Sequence, residues 1–120
     1  MAVRTSQSLL IIIISAGILT LAGCLPPRDH AQLPTVSPDM ATWAATQWSD
    51  TSAAQLSHGR ETMENHCTAC HSMPSPLHET VKDWPDVMQD MADHAKLGNV
   101  DQQAMLRYIL AARNFLPGSG

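Results

Sequence analysis

The fold of this chain is decided by the stretch His66-Cys67-Thr68-Ala69-Cys70-His71. Two cysteines separated by two residues and followed at once by a histidine have the spacing at which c-type haem is attached. The two thiols can add to the two vinyl groups of a haem, and the adjacent imidazole then lies close to the iron. The motif therefore predicts one covalent haem, held by Cys67 and Cys70, with His71 as an axial ligand of the iron.

Two other uses of this spacing compete with haem. A zinc site needs two further ligands, and His66, His71 and His78 are available, although the chain has no second Cys-x-x-Cys. A dithiol redox site of the thioredoxin type favours a βαβ setting. The sequence around the motif has no strand pattern, so haem is the preferred interpretation, with zinc and a dithiol redox site as the alternatives.

Length and composition set the scale of the molecule. The chain has 120 residues, a formal net charge of −4, one Phe, one Tyr and three Trp. These values fit a single small domain with few aromatic side chains, which buries little apolar surface by itself. A bound haem would complete its core. The acidic balance argues against a nucleic-acid partner.

The first 23 residues have the features of an export signal. Arg4 supplies a positive charge, and residues 9–21 are apolar over a length that suits a signal peptide better than a spanning helix. The signal ends in Leu-Ala-Gly-Cys24, which resembles the lipobox of bacterial lipoproteins, so Cys24 is the expected lipidation site. The alternative is an uncleaved membrane anchor. Because lipid uses Cys24 and haem uses the other two cysteines, no thiol is left over.

Residues 24–50 are predicted to be a flexible tether. Four prolines occupy its first half, at positions 26, 27, 34 and 38, and they disfavour regular helix or strand. Its second half, Met40 to Trp48, can form a short helix. Trp43 and Trp48 there either pack on the domain or lie at the membrane surface.

Residues 51–117 are predicted to form an all-α domain of three helices. The first helix starts near Ser52 and runs to the motif, the second runs from about residue 80 to Lys96, and the third ends before Pro117. The second helix carries an apolar stripe and an acidic side; the stripe comprises Trp84, Val87, Met88, Met91 and Ala95, and the acidic side Asp83, Asp86, Asp90 and Asp93. The third helix repeats apolar residues at helical spacing, namely Met105, Tyr108, Ile109 and Ala112.

Local signals refine this prediction. Gly59 within the first helix suggests close approach by another helix, with a flexible position as the alternative. Gly98 is the expected end of the second helix, and Asn99 with Gln102 has the spacing of a capping box. Carbonyls of the proline-rich loop at 72–76 are candidates to accept the Nδ1–H of His71.

The chain resembles the small monohaem c-type cytochromes over roughly its last 65 residues. The likeness rests on Gly59-Arg60, the haem motif, and Arg107-Tyr108-Ile109-Leu110 in the last helix. In that family a small residue of the first helix meets an aromatic residue of the last, which implies a Gly59–Tyr108 contact. The stretch from Trp84 to Met91 resembles a subgroup with a Trp-to-Met helix. The extended methionine loop of larger cytochromes c is missing.

The sixth iron ligand is open among several residues. Met88 and Met91 lie on the apolar stripe of the second helix, and Met91 is preferred because it lies nearer the helix centre and matches the subgroup pattern. For either methionine, the plain alternative is core packing. His94 or His78 would give two imidazoles, and a vacant or water-bound iron remains a further possibility.

Electron transfer is the expected function, without enzymatic activity. The acidic helix side suggests docking onto a basic redox partner. A haem-based sensor with an open sixth site, or a small haem subunit of a larger oxidoreductase, is the alternative. The signal predicts the periplasmic side of a bacterial membrane. Leu25, where inner-membrane lipoproteins carry Asp, favours the outer membrane.

Overall fold

A computed structural model describes residues 32–119. This part of the chain contains helices and no strands, so the all-α prediction is confirmed. There are four α-helices where three were expected: α1 (Pro38–Gln47), α2 (Ala53–His66), α3 (Trp84–Ala95) and α4 (Asn99–Asn114), with a 3₁₀ turn at Cys67–Ala69. The predicted signal peptide, Cys24 and the start of the tether lie outside the described residues.

The helix leading to the motif begins where the sequence predicts. Ser52 is the N-cap of α2, and its side chain accepts a hydrogen bond from the backbone N–H of Gln55 at 3.2 Å. The Gln55 side chain accepts in return from the Ser52 backbone N–H at 2.8 Å, which completes a capping box. Two otherwise unpaired donors are thus satisfied, and α2 then continues directly into the haem motif.

The crossing of α2 and α4 is the central contact of the fold, and it takes place at Gly59. A Cβ atom built on Gly59 would lie 2.9 Å from the backbone nitrogen of Met105 and closer still to the carbonyl of Ala104. The expected close approach of another helix is therefore confirmed. The family likeness placed Tyr108 opposite Gly59, whereas the closest atoms belong to the turn before it, at Ala104 and Met105.

We expect Gly59→Ala to destabilise the protein by about 1–3 kcal/mol, because the added methyl group must push two backbones apart. Chemical denaturation followed by circular dichroism measures this effect. Gly98→Ala is the matched control, since a Cβ there meets nothing within 4 Å. Equal losses in the two variants would contradict a tight crossing at Gly59.

The predicted flexible tether over residues 24–50 is wrong for its described part, residues 32–50. In this segment Leu33, Met40 and Ala44 are buried in the core, and the Tyr108 hydroxyl donates to the Pro34 carbonyl at 2.6 Å. Pro38 starts a helix instead of preventing one, because it occupies the first turn of α1 after the N-cap Ser37. The packed unit thus begins near residue 33, and the helix proposed from Met40 to Trp48 is present as α1.

The connection between α3 and α4 also differs from expectation. Lys96, with φ of 56°, adopts the left-handed conformation that ends α3. Gly98 is instead the N-cap of α4, and no side chain caps that helix, so the capping box predicted from Asn99 and Gln102 is absent. The helix end is set by the bonds from Lys96 and Leu97 back to the last carbonyls of α3, which a non-glycine residue can also make.

The apolar face predicted for α4 points into the core, whereas the stripe predicted for α3 does so only in part, since Ala95 is exposed and Val87 and Met91 are half-buried. Buried side chains on these two helices include Trp84, Met88, Ala92, Met105, Tyr108, Ile109 and Ala112. The aspartates predicted for the other side of α3 are exposed. Over residues 32–119, no helix is long and apolar enough to cross a membrane.

Candidate functional site

A cleft lies between the haem motif and α3. It consists of two adjoining cavities of about 490 and 440 Å³, within the usual size range of cofactor sites. Three residues line both cavities, namely Cys67, His71 and Met91. The motif and the preferred sixth ligand therefore border one cleft, although Met91 lies 20 positions after His71 in the chain.

The walls of this cleft are mostly apolar. One cavity is lined by Met63, Met73, Trp84, Val87 and Met88, and the other by Ala69, Ala95, Leu97 and Met105, with His66, Cys70 and His94 at its edge. A porphyrin that is attached at one edge needs an apolar wall for its ring, thiols for its attachment and an imidazole for its iron. The cleft offers all three. The residues present thus fit a covalent haem.

The two cysteines occupy one turn at the end of α2. Cys67 is partly buried and Cys70 is exposed, and neither forms a disulfide. Burial raises the pKa of the Cys67 thiol, so this sulfur is protonated at neutral pH. Thr68 between them donates its hydroxyl to the Glu64 carbonyl at 2.9 Å, which ties the turn to α2. Both thiols are available for attachment.

His71 is oriented by the backbone next to it. Its Nδ1 lies 2.8 Å from the carbonyl oxygen of Ser72, so Nδ1 donates a hydrogen bond in the tautomer that carries its proton there. That tautomer leaves the Nε2 lone pair for a metal ion, and such carbonyl bonds commonly orient ligating histidines. The expectation that the loop after the motif provides this acceptor is confirmed.

Two side chains, Trp84 and Arg113, hold the loop after the motif in place. The sequence did not predict this role for either of them. The buried indole N–H of Trp84 donates to the Pro76 carbonyl at 3.1 Å. Arg113, on the last turn of α4, donates to the carbonyls of Pro76 at 3.2 Å and Glu79 at 2.7 Å. Arg113 lies 37 positions after Pro76, so no local signal could have revealed this contact.

We expect Arg113→Met to loosen this loop, because two carbonyls lose a charged donor worth about 1.5–3 kcal/mol per bond. Amide hydrogen exchange should accelerate across residues 72–83. Arg107→Met is the matched control on the same helix, since Arg107 bonds to Thr51 and Asp50 instead. Unchanged loop exchange in Arg113→Met, or the same acceleration in both variants, would contradict the fastening role.

The two methionine candidates for the sixth ligand differ in placement. Met88 is 2% exposed and lines only one cavity, whereas Met91 is partly exposed and lines both. A side chain that borders both cavities has access to more of the cleft than one packed into the core. Met91 is therefore the more accessible of the two from the cleft, and its role as sixth ligand stays a prediction.

The two histidine candidates are both exposed, and each lines one of the two cavities. His94 Nδ1 lies 2.8 Å from the Asp90 carbonyl, and this hydrogen bond, reinforced by the nearby Asp90 carboxylate, raises the pKa of His94. A raised pKa favours the protonated ring, which competes with metal binding, so His94 is a weaker candidate than Met91. His78 Nδ1 lies 2.9 Å from the Glu79 carboxylate, and His78 stays an alternative ligand.

The zinc alternative requires a group of ligands in one place. A structural zinc ion takes four ligands, usually cysteine and histidine. Within the part of the chain that the structure describes, no three His, Cys, Asp or Glu side chains are grouped to hold a metal ion. A haem iron differs, since it takes only two axial ligands from the protein.

The chain matches no protein-family model, no curated protein sequence and no solved structure. The likeness to small monohaem c-type cytochromes therefore rests on the haem motif and on the helix residues that accompany it.

Proposed function

We propose that this chain is an electron carrier that holds one haem covalently through Cys67 and Cys70, with His71 and Met91 as axial ligands. The observation that carries the proposal is the shared cleft, since all three residues that border both cavities belong to this set. Covalent attachment keeps the cofactor in a domain too small to enclose it fully.

The chain's own residues would hold and tune the group. The thiols of Cys67 and Cys70 anchor it at the motif, and the Ser72 carbonyl keeps His71 in the ligating tautomer. Apolar side chains such as Met63 and Met88 exclude water from the cleft, and both are buried. When bound, a haem with these ligands supplies one-electron exchange at a potential that methionine raises.

Electron transfer is preferred to catalysis because His71 and Met91 would both bind the iron. An iron so held would have no free position for a substrate or a gas, whereas a sensor needs one. This chemistry also applies to a small haem subunit of a larger oxidoreductase, which differs only in its partner.

The acidic side of α3 supports a basic redox partner. Asp83, Asp86, Asp90 and Asp93 are exposed on the helix whose opposite side lines the cleft. Charge of one sign next to a redox site steers weak, fast encounters with a partner of opposite charge. Partner association should therefore weaken as ionic strength rises.

Export and a lipid anchor at Cys24 complete the proposal, and they rest on the signal sequence alone. Lipidation would hold the carrier at the periplasmic side of a bacterial membrane, with the outer membrane favoured by Leu25. An anchor with several acyl chains gives lasting attachment.

The test of the proposed function is the absorbance of the reduced full-length protein with and without carbon monoxide. A reduced haem spectrum that carbon monoxide leaves unchanged is expected, because Met91 fills the sixth position. A large carbon monoxide shift would favour the sensor, and the absence of any haem spectrum would end both interpretations.

A further inference from the structure

Three aromatic rings form a cluster where α1 meets the end of α4. The rings of Trp43 and Trp48 pack edge to face with centroids 5.9 Å apart, and those of Trp43 and Phe115 do so at 6.3 Å. We name Trp43, Trp48 and Phe115 the aromatic cluster. The two tryptophans are partly buried, so the cluster is anchored in the domain, and Phe115 is 41% exposed.

Apolar exposure is concentrated around this cluster. Val81, which is 59% exposed, lines a groove of about 200 Å³ together with Trp43 and Trp48. Within residues 32–119, three large apolar side chains are exposed, and Val81 and Phe115 are two of them. The haem cleft is lined by other residues, so this surface has no part in cofactor binding.

The hydrogen bonding of the tryptophans suggests which medium they face. The indole N–H of the buried Trp84 is bonded to a carbonyl, whereas those of Trp43 and Trp48 donate to no atom among the described residues. A ring with an apolar body anchored in protein and a free N–H suits the boundary between lipid headgroups and acyl chains.

The charge of the groove is also unusual for this chain. The whole chain has 11 acidic and 7 basic residues, yet the groove is lined by one cation, Arg113, and by no carboxylate. Lys82 follows Val81 and is exposed. Anionic lipid headgroups would therefore meet no carboxylate in the groove. The same headgroups would repel the acidic side of α3.

The length of chain before the described part keeps the cluster near a membrane. Gln32 lies eight positions after Cys24, a separation that any chain spans with at most about 28 Å. The segment from Leu33 is packed on the core and leads into α1, which carries Trp43. A lipid on Cys24 would hold the domain close to the bilayer, so even a weak apolar contact between the two would be formed most of the time.

We propose that the aromatic cluster and Val81 dock into the headgroup region of the lipid bilayer to which the chain is anchored. This inference rests on the proposed lipidation of Cys24 and commits to lipid as the occupant. Docking holds the domain in one orientation on the membrane.

The test uses the full-length protein, isolated from membranes with any group that it carries, in vesicles of phosphatidylcholine and phosphatidylglycerol. A small share of the phosphatidylcholine carries a photoreactive diazirine in its acyl chain, and lipid adducts are mapped by mass spectrometry after irradiation. We expect severalfold more adduct on peptides with Trp43, Phe115 and Val81 than on the peptide with Val100. Val100 is the matched control because it is 78% exposed and lies outside the groove.

A variant pair tests the surface itself. The double substitution Trp48→Gln with Phe115→Gln should also reduce adducts at Trp43 and Val81, while Val100→Gln should not. If the peptides of the aromatic cluster carry no more lipid adduct than the Val100 peptide, the docking proposal is wrong. This holds whether or not the N-terminal peptide carries acyl groups. The haem spectrum of the same sample tests the proposed function separately. A haem-free protein with lipid adducts on the cluster would refute the electron-carrier function and support the docking.

Discussion

The double variant Cys67→Ala with Cys70→Ala is expected to lose all covalently held haem. Each thioether needs its own thiol, and Cys24, the third cysteine of the chain, is the expected lipidation site. The variant should also be largely unfolded, because buried methionines such as Met63 and Met88 would line an empty cleft. Acid-acetone extraction followed by a haem spectrum measures the attachment, and circular dichroism measures the folding.

The control for this variant keeps both thiols and changes the residue between them. Thr68→Ala removes the hydroxyl that bonds to the Glu64 carbonyl but leaves the cleft lining intact. It should retain haem through acid-acetone treatment. Wild-type protein that releases its haem freely, or that contains zinc by native mass spectrometry, would refute covalent haem attachment.

Met91→Ala is expected to have the second largest effect. If Met91 ligates the iron, the ferric wild type should show the weak near-infrared charge-transfer band of cytochromes with a thioether ligand. The variant should lose this band, bind carbon monoxide when reduced, and have a lower reduction potential, because methionine favours ferrous iron. Near-infrared absorbance, carbon monoxide titration and potentiometry measure these three changes.

Met88→Ala is the matched control on the same helix. Met88 is packed in the core, so its removal should keep the band and cost about 2–5 kcal/mol of unfolding free energy. The reverse pattern, with the band lost in Met88→Ala alone, would transfer the ligand role to Met88. A wild type with neither the band nor carbon monoxide binding would point to His94 or His78.

Local signals predicted much of the helical framework. The sequence predicts the start of α2 near Ser52, and the apolar spacing of Met105, Tyr108 and Ile109 marks the inner side of α4. Such features depend on helix geometry alone, so sequence reasoning finds them. The same reasoning failed at Gly98, because it assigned the left-handed helix end to glycine whereas Lys96 adopts it.

The sequence by itself determined the all-α class, the haem motif within a single turn, and the orienting bond from His71 to its neighbour Ser72, since all of these depend on residues close in the chain. Only the tertiary structure decided that Met91 borders the same cleft as Cys67 and His71 and that Arg113 fastens the loop beside it. It also decided that the expected tether packs as α1. These contacts join distant segments, so their partners depend on how the helices pack against one another, which short-range patterns do not specify.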